Sequence, residues 1–230
     1  MKIISPELKF YVDKINAGQP FSFVRYGNGE WDCILNLYHQ TRSGSQRFDS
    51  TLQDALIRSL VNKREGAYFT ALQSASFLQR VGILPQAEMW IVNNAPDLTW
   101  YDGEVFTKTS MKGRLYPLVA ALKKQQVVVV GPKWLKKLPF ASAFIQVASH
   151  DCWKDADMIE DKICGLKNVV VSFSAGPATK ALIHRLQPVI GKHSWLIDFG
   201  SVWDPYCGVH SRRYHQRMKA DVIRRNLTGK

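Results

Sequence analysis

The sequence predicts an α/β protein with a Rossmann-like, mostly parallel β-sheet that is covered by helices on both faces. One observation is that two segments, QVVVVGP at residues 126–132 and NVVVSFS at residues 168–174, are largely unbroken apolar runs, as in strands buried on both faces. Another is that strand-like and helix-like segments alternate along the chain, which is typical of a parallel sheet with helical crossovers. Because no internal repeat and no long linker interrupts the sequence, residues 1–230 are expected to form one domain.

The first half of the chain is divided by apolar spacing and by turn residues. Leu8, Tyr11 and Ile15, for example, share one face of a helix that ends before Gly18. In order, we predict a helix at 5–16, a strand at 21–25, a turn at 26–30, a helix at 31–38, a polar loop at 41–50, a helix at 50–62, a strand at 67–71, a helical stretch at 75–90 with a break near Pro85, a short strand end at 91–95 and an irregular segment at 96–104.

The second half follows the same alternation and ends in a basic segment. In order, we predict a helix at 110–123, a strand at 126–132, a strand near 144–148, a helix at 153–163, a strand at 168–174, a helix at 178–190 and a last strand within 194–200. From about residue 205 onward the chain is rich in arginine and lysine, and we call residues 205–230 the C-terminal segment.

The chain carries a formal net charge of +12, from 31 Lys and Arg residues against 19 Asp and Glu residues. Such a charge favours polyanionic partners, either nucleic acid or an acidic membrane surface. Solvated surface charge is the alternative interpretation. Glu7 and Lys9 interrupt the first residues, so no signal peptide is expected, and no apolar run approaches the roughly 20 residues of a membrane-spanning helix. Four cysteines without metal-ligand spacing are expected to be reduced thiols in a cytoplasmic protein.

Three loops follow predicted strands and contain the residues best suited to a ligand site. Ligands of parallel α/β sheets bind beyond the carboxyl ends of the strands, where glycine-containing loops lead into helices. The three loops are YGNGE at 26–30, SAGPATK at 174–180 and DFGSVWDP at 198–205. A purely structural turn is the alternative for each of them, with Asn28 as a helix cap in the first.

Each loop offers different chemistry. In the first, Gly27 and Gly29 permit a tight turn, while Arg25 suits a phosphate and Glu30 a divalent cation. The second loop suits an anion, and its candidate donor-binding residues are Gly176, Thr179 and Lys180. The third contributes Asp198 and Asp204, carboxylates that suit a ribose hydroxyl, a metal ion or proton abstraction.

The segment FSFVRYGNGEWDCIL resembles the signature of the GT-D-type glycosyltransferases, Phe-Ser-x-x-Arg-Phe-Gly-Asp-Gly-Glu. VVVVGP at 127–132, SAGPATKALIHRL at 174–186 and LIDFGSVWD at 196–204 are similar, in the same order, to later segments of that family. The resemblance implies a Rossmann-like glycosyltransferase that binds a nucleotide-sugar, commonly a UDP-sugar, through Arg25, Gly27, Asn28, Gly29 and Glu30. In the family an Asp-x-Glu motif holds Mn²⁺ or Mg²⁺, whereas this chain has Asn28-Gly29-Glu30, and an amide binds such ions more weakly than a carboxylate.

Glycosyl transfer also requires an acceptor site and help in deprotonating the acceptor hydroxyl. Glu30 is expected to act on the leaving diphosphate, while Asp198, Asp204 and His215 remain unranked candidates for the base or for acceptor contacts. Arg212 and Arg213 are the candidate acceptor-binding residues. Their charge would suit the phosphates of phage-type DNA, in which a hydroxymethylated base would be the acceptor. The alternatives are a glycan or a lipid-linked acceptor, a non-catalytic nucleic-acid-binding protein, and a nucleotide hydrolase.

Overall fold

The computed structural model describes residues 2–38, 46–62, 64 and 66–230. Its described part contains an eight-stranded sheet in which every strand pair is parallel. The strands are β1 (Ile3–Ile4), β2 (Ser22–Tyr26), β3 (Tyr68–Leu72), β4 (Trp100–Asp102), β5 (Gln126–Gly131), β6 (Ala143–Gln146), β7 (Val169–Phe173) and β8 (Trp195–Asp198), and their order in the sheet is β1-β4-β3-β2-β8-β7-β5-β6.

Helices cover both faces of this sheet, which confirms the predicted fold class. Successive strand residues point to opposite faces, so Val127 and Val129 belong to one apolar core while Val128 and Val130 belong to the other. Burying one such side chain contributes about 1.5–3 kcal/mol. The helices are α1 (Leu8–Asn16), α2 (Asn28–Ile34), α3 (Ser50–Val61), α4 (Ala75–Arg80), α5 (Leu84–Asn94), α6 (Val105–Met111), α7 (Tyr116–Leu122), α8 (Ala156–Ile163), α9 (Ala178–Ile190) and α10 (Ala220–Thr228).

The sheet order brings the three predicted ligand loops together. β2 pairs with β8, and β8 pairs with β7, so their carboxyl ends are neighbours. The chain leaves β7 toward β8 but leaves β5 toward β6. Connections that leave adjacent parallel strands in opposite directions open a crevice at the carboxyl ends of those strands. The fold therefore builds a recess at this edge of the sheet.

Several element predictions are wrong in detail. The apolar pair at 91–92 does not begin a strand end, because Ala87 and Ile91 lie one helical turn apart and α5 continues to Asn94. The segment predicted to be irregular contains β4, which pairs with β3 and β1. Gly113, whose φ is +68°, separates α6 from α7 where one helix at 110–123 was predicted. The polar loop predicted at 41–50 lies largely outside the described residues.

Other boundaries shift by a few residues. The helix after the first turn begins at Asn28 and ends at Ile34, and a 3₁₀ turn at Cys152–Asp155 precedes α8. The strand predicted near 144–148 is β6, and the two-residue strand β1 was not predicted. The predicted helix at 178–190 is confirmed as α9. Within the described residues, no helix combines the length and the apolarity needed to cross a bilayer.

The C-terminal segment packs against the rest of the described chain. Asn226 is fully buried in α10, and its side-chain oxygen accepts the Leu115 N–H at 2.7 Å. Its side-chain nitrogen donates to the Ser110 carbonyl and to the Tyr206 hydroxyl, both at 2.7 Å. These hydrogen bonds hold α10 against residues 110–115, and the stretch before α10 contributes Ser211 and Tyr214, among others, to the cavity described below.

Candidate functional site

A cavity of about 1060 Å³ opens at the carboxyl edge of the sheet. All three predicted loops contribute to it, and so does the C-terminal segment. The predicted site residues that line the cavity are Arg25, Gly27, Asn28, Gly29, Glu30, Gly176, Lys180, Asp204, Arg212 and Arg213. Thr179, Asp198 and His215 are buried behind its wall.

Three charged side chains form an ion-pair cluster at the base of this cavity: Glu30, Lys180 and Asp198. The Lys180 ammonium lies 2.8 Å from Glu30 Oε1 and 2.9 Å from Asp198 Oδ2, and it also donates to the Gly176 carbonyl at 3.2 Å. An ammonium has three N–H groups, so these three acceptors account for all of them. The cluster therefore joins the first turns of α2 and α9 to the carboxyl end of β8.

Burial and charge act in opposite directions on this cluster. Burial alone would lower the pKa of Lys180, but the carboxylates of Asp198 and Glu30 raise it above its usual value. Burial alone would raise the pKa of Glu30, but the Lys180 ammonium, the Gly27 N–H and Arg25 hold it below its usual value. The charged forms are thus favoured, and the Lys180 ammonium holds two carboxylates.

The first turn is organised by Glu30 and Gln73. Glu30 Oε2 accepts the Gly27 N–H at 2.8 Å, so Gly27 rather than Asn28 is the cap of α2. The Asn28 N–H donates to Gln73 Oε1 at 3.1 Å. A Cβ at Gly27 would lie 2.6 Å from that same oxygen, so a side chain there would displace the Gln73 amide from the Asn28 N–H. In the second loop, Thr179 Oγ1 accepts the Ala175 N–H at 3.2 Å.

Arg25 extends from β2 into the cavity beside a carboxylate that the sequence analysis missed. Its guanidinium lies 3.6 Å from Glu104 Oε1, and its backbone N–H donates to Asp198 Oδ2 at 3.3 Å. Burial would lower the pKa of Arg25, but Glu104 and Asp198 raise it. Two glycines leave room for the side chain: a Cβ at Gly103 would lie 2.8 Å from Arg25 Cγ, and a Cβ at Gly200 would lie 2.9 Å from Arg25 Nη2.

Asp204 is the cavity carboxylate that lies within 4 Å of no lysine or arginine nitrogen in the described part of the chain. Its Oδ1 accepts the Trp134 indole N–H at 2.9 Å, and its Oδ2 accepts the Ser211 hydroxyl. Burial raises the pKa of Asp204, although both hydrogen bonds and the positive charge of Arg212 lower it in part. Asp204 is therefore fixed in orientation and more basic than an ordinary aspartate.

His215 supports the cavity wall from behind. Its ring is fully buried, and Nδ1 accepts the Arg212 N–H at 3.2 Å. Burial, together with the positive charge of Arg212, lowers the pKa of His215 to about 4. A neutral, enclosed imidazole orients the backbone near Arg212, and this position gives no support to the catalytic role predicted for it. Tyr214 holds the same wall, since its hydroxyl lies 3.2 Å from Ser201 Oγ.

The predicted metal ligands Asn28 and Glu30 do not fit a divalent cation as they are arranged. Both Glu30 oxygens already have partners, Lys180 and the Gly27 N–H. An ion beside Glu30 would also lie close to the Lys180 ammonium. Among the described residues, no group of three or more His, Cys, Asp or Glu side chains is placed to hold a metal.

The strand order and the cavity define a parallel α/β fold with a ligand site at the carboxyl edge of the sheet. Solved structures share this fold. One is described as a new glycosyltransferase (DUF1792) from Streptococcus sanguinis, with a TM-score of 0.68 and 16% identity over 89% of this chain and 84% of that one. Another, of the domain of unknown function 1792, is described as having a distinct glycosyltransferase fold; its TM-score is 0.70 and its identity 16% over 89% of this chain and 80% of that one.

This likeness confirms the fold expected from the GT-D resemblance. At 16% identity it is a likeness of fold. No protein-family model matches the chain, and no curated protein sequence matches it either.

The ion-pair cluster gives a direct test of what holds the site together. Lys180→Met leaves two buried carboxylates without their cation, and we expect a loss of about 3–5 kcal/mol in the free energy of unfolding near neutral pH. Unpaired buried carboxyls have raised pKa values in the folded state, so the loss should shrink as the pH is lowered to about 5. Urea unfolding at both pH values measures the effect.

Lys9→Met is the matched control, because Lys9 forms an exposed ion pair with Asp13. Its effect should stay within about 0.5 kcal/mol. A loss for Lys180→Met that is as small as this, or that does not depend on pH, would contradict the assigned role.

Proposed function

We propose that the protein is a glycosyltransferase that moves a sugar from a nucleotide-sugar, preferably a UDP-sugar, to an acceptor hydroxyl. The observation that carries the proposal is the position of the YGNGE turn and Arg25 in a cavity of about 1060 Å³, within a fold shared with structures described as glycosyltransferases. Drug-sized ligands occupy pockets of about 300–1,000 Å³. The cavity is thus large enough for a donor and part of an acceptor.

Arg25 is the group we assign to the leaving diphosphate. Among the described residues, the one carboxylate within 4 Å of its guanidinium is Glu104, at a loose 3.6 Å, so guanidinium N–H groups are available to phosphate oxygens. The first turn of α2 lines the same region; there the N–H groups of Gly27 and Asn28 already donate to Glu30 and Gln73, so the further donor that we assign is the Gly29 N–H. Because Asn28 and Glu30 do not fit a metal ion, we propose that these groups, rather than Mn²⁺ or Mg²⁺, stabilise the developing charge.

Asp204 is the residue we assign as general base. Glu30 and Asp198 are ion-paired with Lys180, and a carboxylate held by an ammonium is a poorer base. Asp204 instead faces the cavity and has a raised pKa. In this role it accepts the proton of the acceptor hydroxyl as the acceptor oxygen bonds to the donor sugar, and the nucleoside diphosphate leaves.

A hydroxymethylated base in DNA is the acceptor we propose, since the net charge of +12 favours a polyanion. A cytoplasmic location is part of the same proposal. One experiment distinguishes between the possible acceptors and between a transferase, a binding protein and a hydrolase. Nucleotide-sugars, beginning with UDP-glucose, are screened by thermal shift and then incubated with plain DNA, hydroxymethylated DNA and a set of glycans, with products read by mass spectrometry.

A UDP-sugar should stabilise the protein by about 2.7 kcal/mol at a concentration 100 times its Kd, equally with Mn²⁺ and with EDTA. Hydroxymethylated DNA should gain the mass of the sugar, and plain DNA should not. Stabilisation by DNA alone would favour a non-catalytic binding protein, and transfer to the glycan set would replace the DNA acceptor. Nucleotide turnover without a sugar would indicate a hydrolase.

Gly200→Ala tests the placement of Arg25. Gly200 has a φ of +53°, and an added Cβ would lie 2.9 Å from Arg25 Nη2. We expect UDP-sugar binding to be lost, as it should be in Arg25→Ala. Gly208→Ala is the control, because Gly208 has a φ of +80° but no atom within 4 Å of the added Cβ.

Both alanine variants should therefore carry the same backbone strain, about 1–2 kcal/mol. Only Gly200→Ala should lose the donor-dependent thermal shift. Equal donor binding in the two variants would remove Arg25 from the donor site.

Asp204→Asn tests the base. It preserves shape, so the donor-dependent thermal shift should remain while kcat falls by about 10²–10⁴. An active Asp204 is deprotonated, and the wild-type rate should therefore decline as the pH falls through its raised pKa. Trp134→Phe removes a hydrogen bond that lowers this pKa, so the decline should begin at higher pH. Wild-type kcat in Asp204→Asn would rule out the assignment.

A further inference from the structure

Four exposed arginines border the cavity outside the ion-pair cluster. Arg80 is the last residue of α4, whereas Arg212, Arg213 and Arg217 belong to the C-terminal segment. They therefore reach the cavity from two separate parts of the chain. In the described residues none of the four lies within 4 Å of a carboxylate, in contrast to Arg25 and Lys180. We call these four residues the arginine surface.

Arginines that share one cavity border and that have no carboxylate within 4 Å in the described part of the chain are suited to several phosphates along one ligand. A nucleotide-sugar carries its phosphates at a single point, next to Arg25 in the proposed function. The arginine surface thus offers more cationic groups than one diphosphate needs. A nucleic acid strand repeats its phosphates along its length, which matches cations supplied by two parts of the chain.

Aromatic side chains accompany the arginines. Arg80 lies over the ring of Phe77, with its guanidinium carbon 5.7 Å from the ring centroid. Phe77 and Trp134 are both half-buried and line the cavity, so parts of their rings are accessible. Single-stranded nucleic acids bind to such combinations of cationic grooves and stacking platforms.

The burial of Asp204 favours single-stranded DNA over duplex DNA as the acceptor. Its exposed fraction is 6%, so an acceptor hydroxyl must enter the cavity to reach it. A base that is stacked and paired in a duplex cannot do so unless it is turned out of the helix. A lipid-linked acceptor fits less well, because none of the large apolar side chains exposed in the described ranges lines the cavity.

We propose that Arg80, Arg212, Arg213 and Arg217 form a binding surface for single-stranded DNA, which delivers one unpaired base into the cavity toward Asp204. The proposal rests on the proposed function for the identity of the reacting group. The phosphates bind to the arginines, while the base lies among Phe77, Trp134 and the cavity wall. The arginines are binding residues and take no part in the transfer itself.

Fluorescence anisotropy with a labelled oligodeoxynucleotide of about 20 nucleotides tests the surface. The wild-type protein should bind the single strand more tightly than the corresponding duplex. The slope of log Kd against log salt concentration should become shallower by about 0.7 for each arginine replaced by alanine. The double variant Arg212→Ala/Arg213→Ala should therefore lose about 1.4 of that slope and bind correspondingly more weakly at low salt.

The control is Lys124→Ala/Lys167→Ala, which removes the same charge from exposed positions outside the cavity. Its binding should stay close to that of the wild-type protein. Equal weakening by both double variants would mean that binding follows net charge alone, and this would overturn the proposal. Equal affinity for duplex and single strand would overturn the role of an unpaired base.

Two further measurements separate this proposal from its rivals. The thermal shift with UDP-glucose is recorded on the same variants: if the arginine variants lose it while still binding DNA, the arginines belong to the donor site and the proposal fails. Vesicles containing phosphatidylglycerol are the other arm, and arginine-dependent binding to them without binding to DNA would identify a membrane surface instead. Arginine-dependent DNA binding without any donor shift in the wild-type protein would leave the surface standing and count against the proposed transferase.

Discussion

The candidate site depends on one buried cation between two carboxylates. Lys180 touches Glu30 and Asp198 at 2.8 and 2.9 Å, with side chains that are almost fully removed from water. Buried ion pairs contribute little net stability, since desolvation offsets most of the Coulomb energy. Their effect here is geometric: Glu30 follows β2, Lys180 follows β7 and Asp198 ends β8, so the ion pairs hold these three parts of the chain together.

The ion-pair cluster gives the carboxylates in and behind the cavity different partners. Glu30 and Asp198 maintain the loops, and Glu104 accompanies Arg25. Asp204 has hydrogen bonds with the neutral side chains of Trp134 and Ser211, and burial raises its pKa. The same cluster explains why the Asn28-Gly29-Glu30 triplet does not fit a divalent ion, because the cation at that position is part of the protein.

Sequence patterns predict the parts of this site that depend on neighbouring residues, and they miss the parts that depend on contacts between residues far apart in the chain. The loops after β2, β7 and β8 were predicted because strand ends and glycines are local signals, and the parallel sheet brings those ends together. Glu104 was missed because β4 has three residues within a polar stretch, so its carboxyl end was not recognised. Trp134 and Gln73 were missed because their contacts join residues 70 and 45 positions apart. His215 was predicted from residue type alone, and its burial, which depends on tertiary packing, leaves it behind the wall.

The C-terminal segment shows that a basic composition does not determine where a segment lies in the fold. Its basic residues suggest a solvated, charged end, yet buried Asn226 fixes α10, and Ser211 and Tyr214 fix the preceding residues to Asp204 and Ser201. The hydrogen bond from Ser211 therefore connects the wall that carries Arg212 and Arg213 to the carboxylate that faces the cavity. Any movement of this wall would change the environment of Asp204, so in the proposed function acceptor binding would alter the basicity of that group.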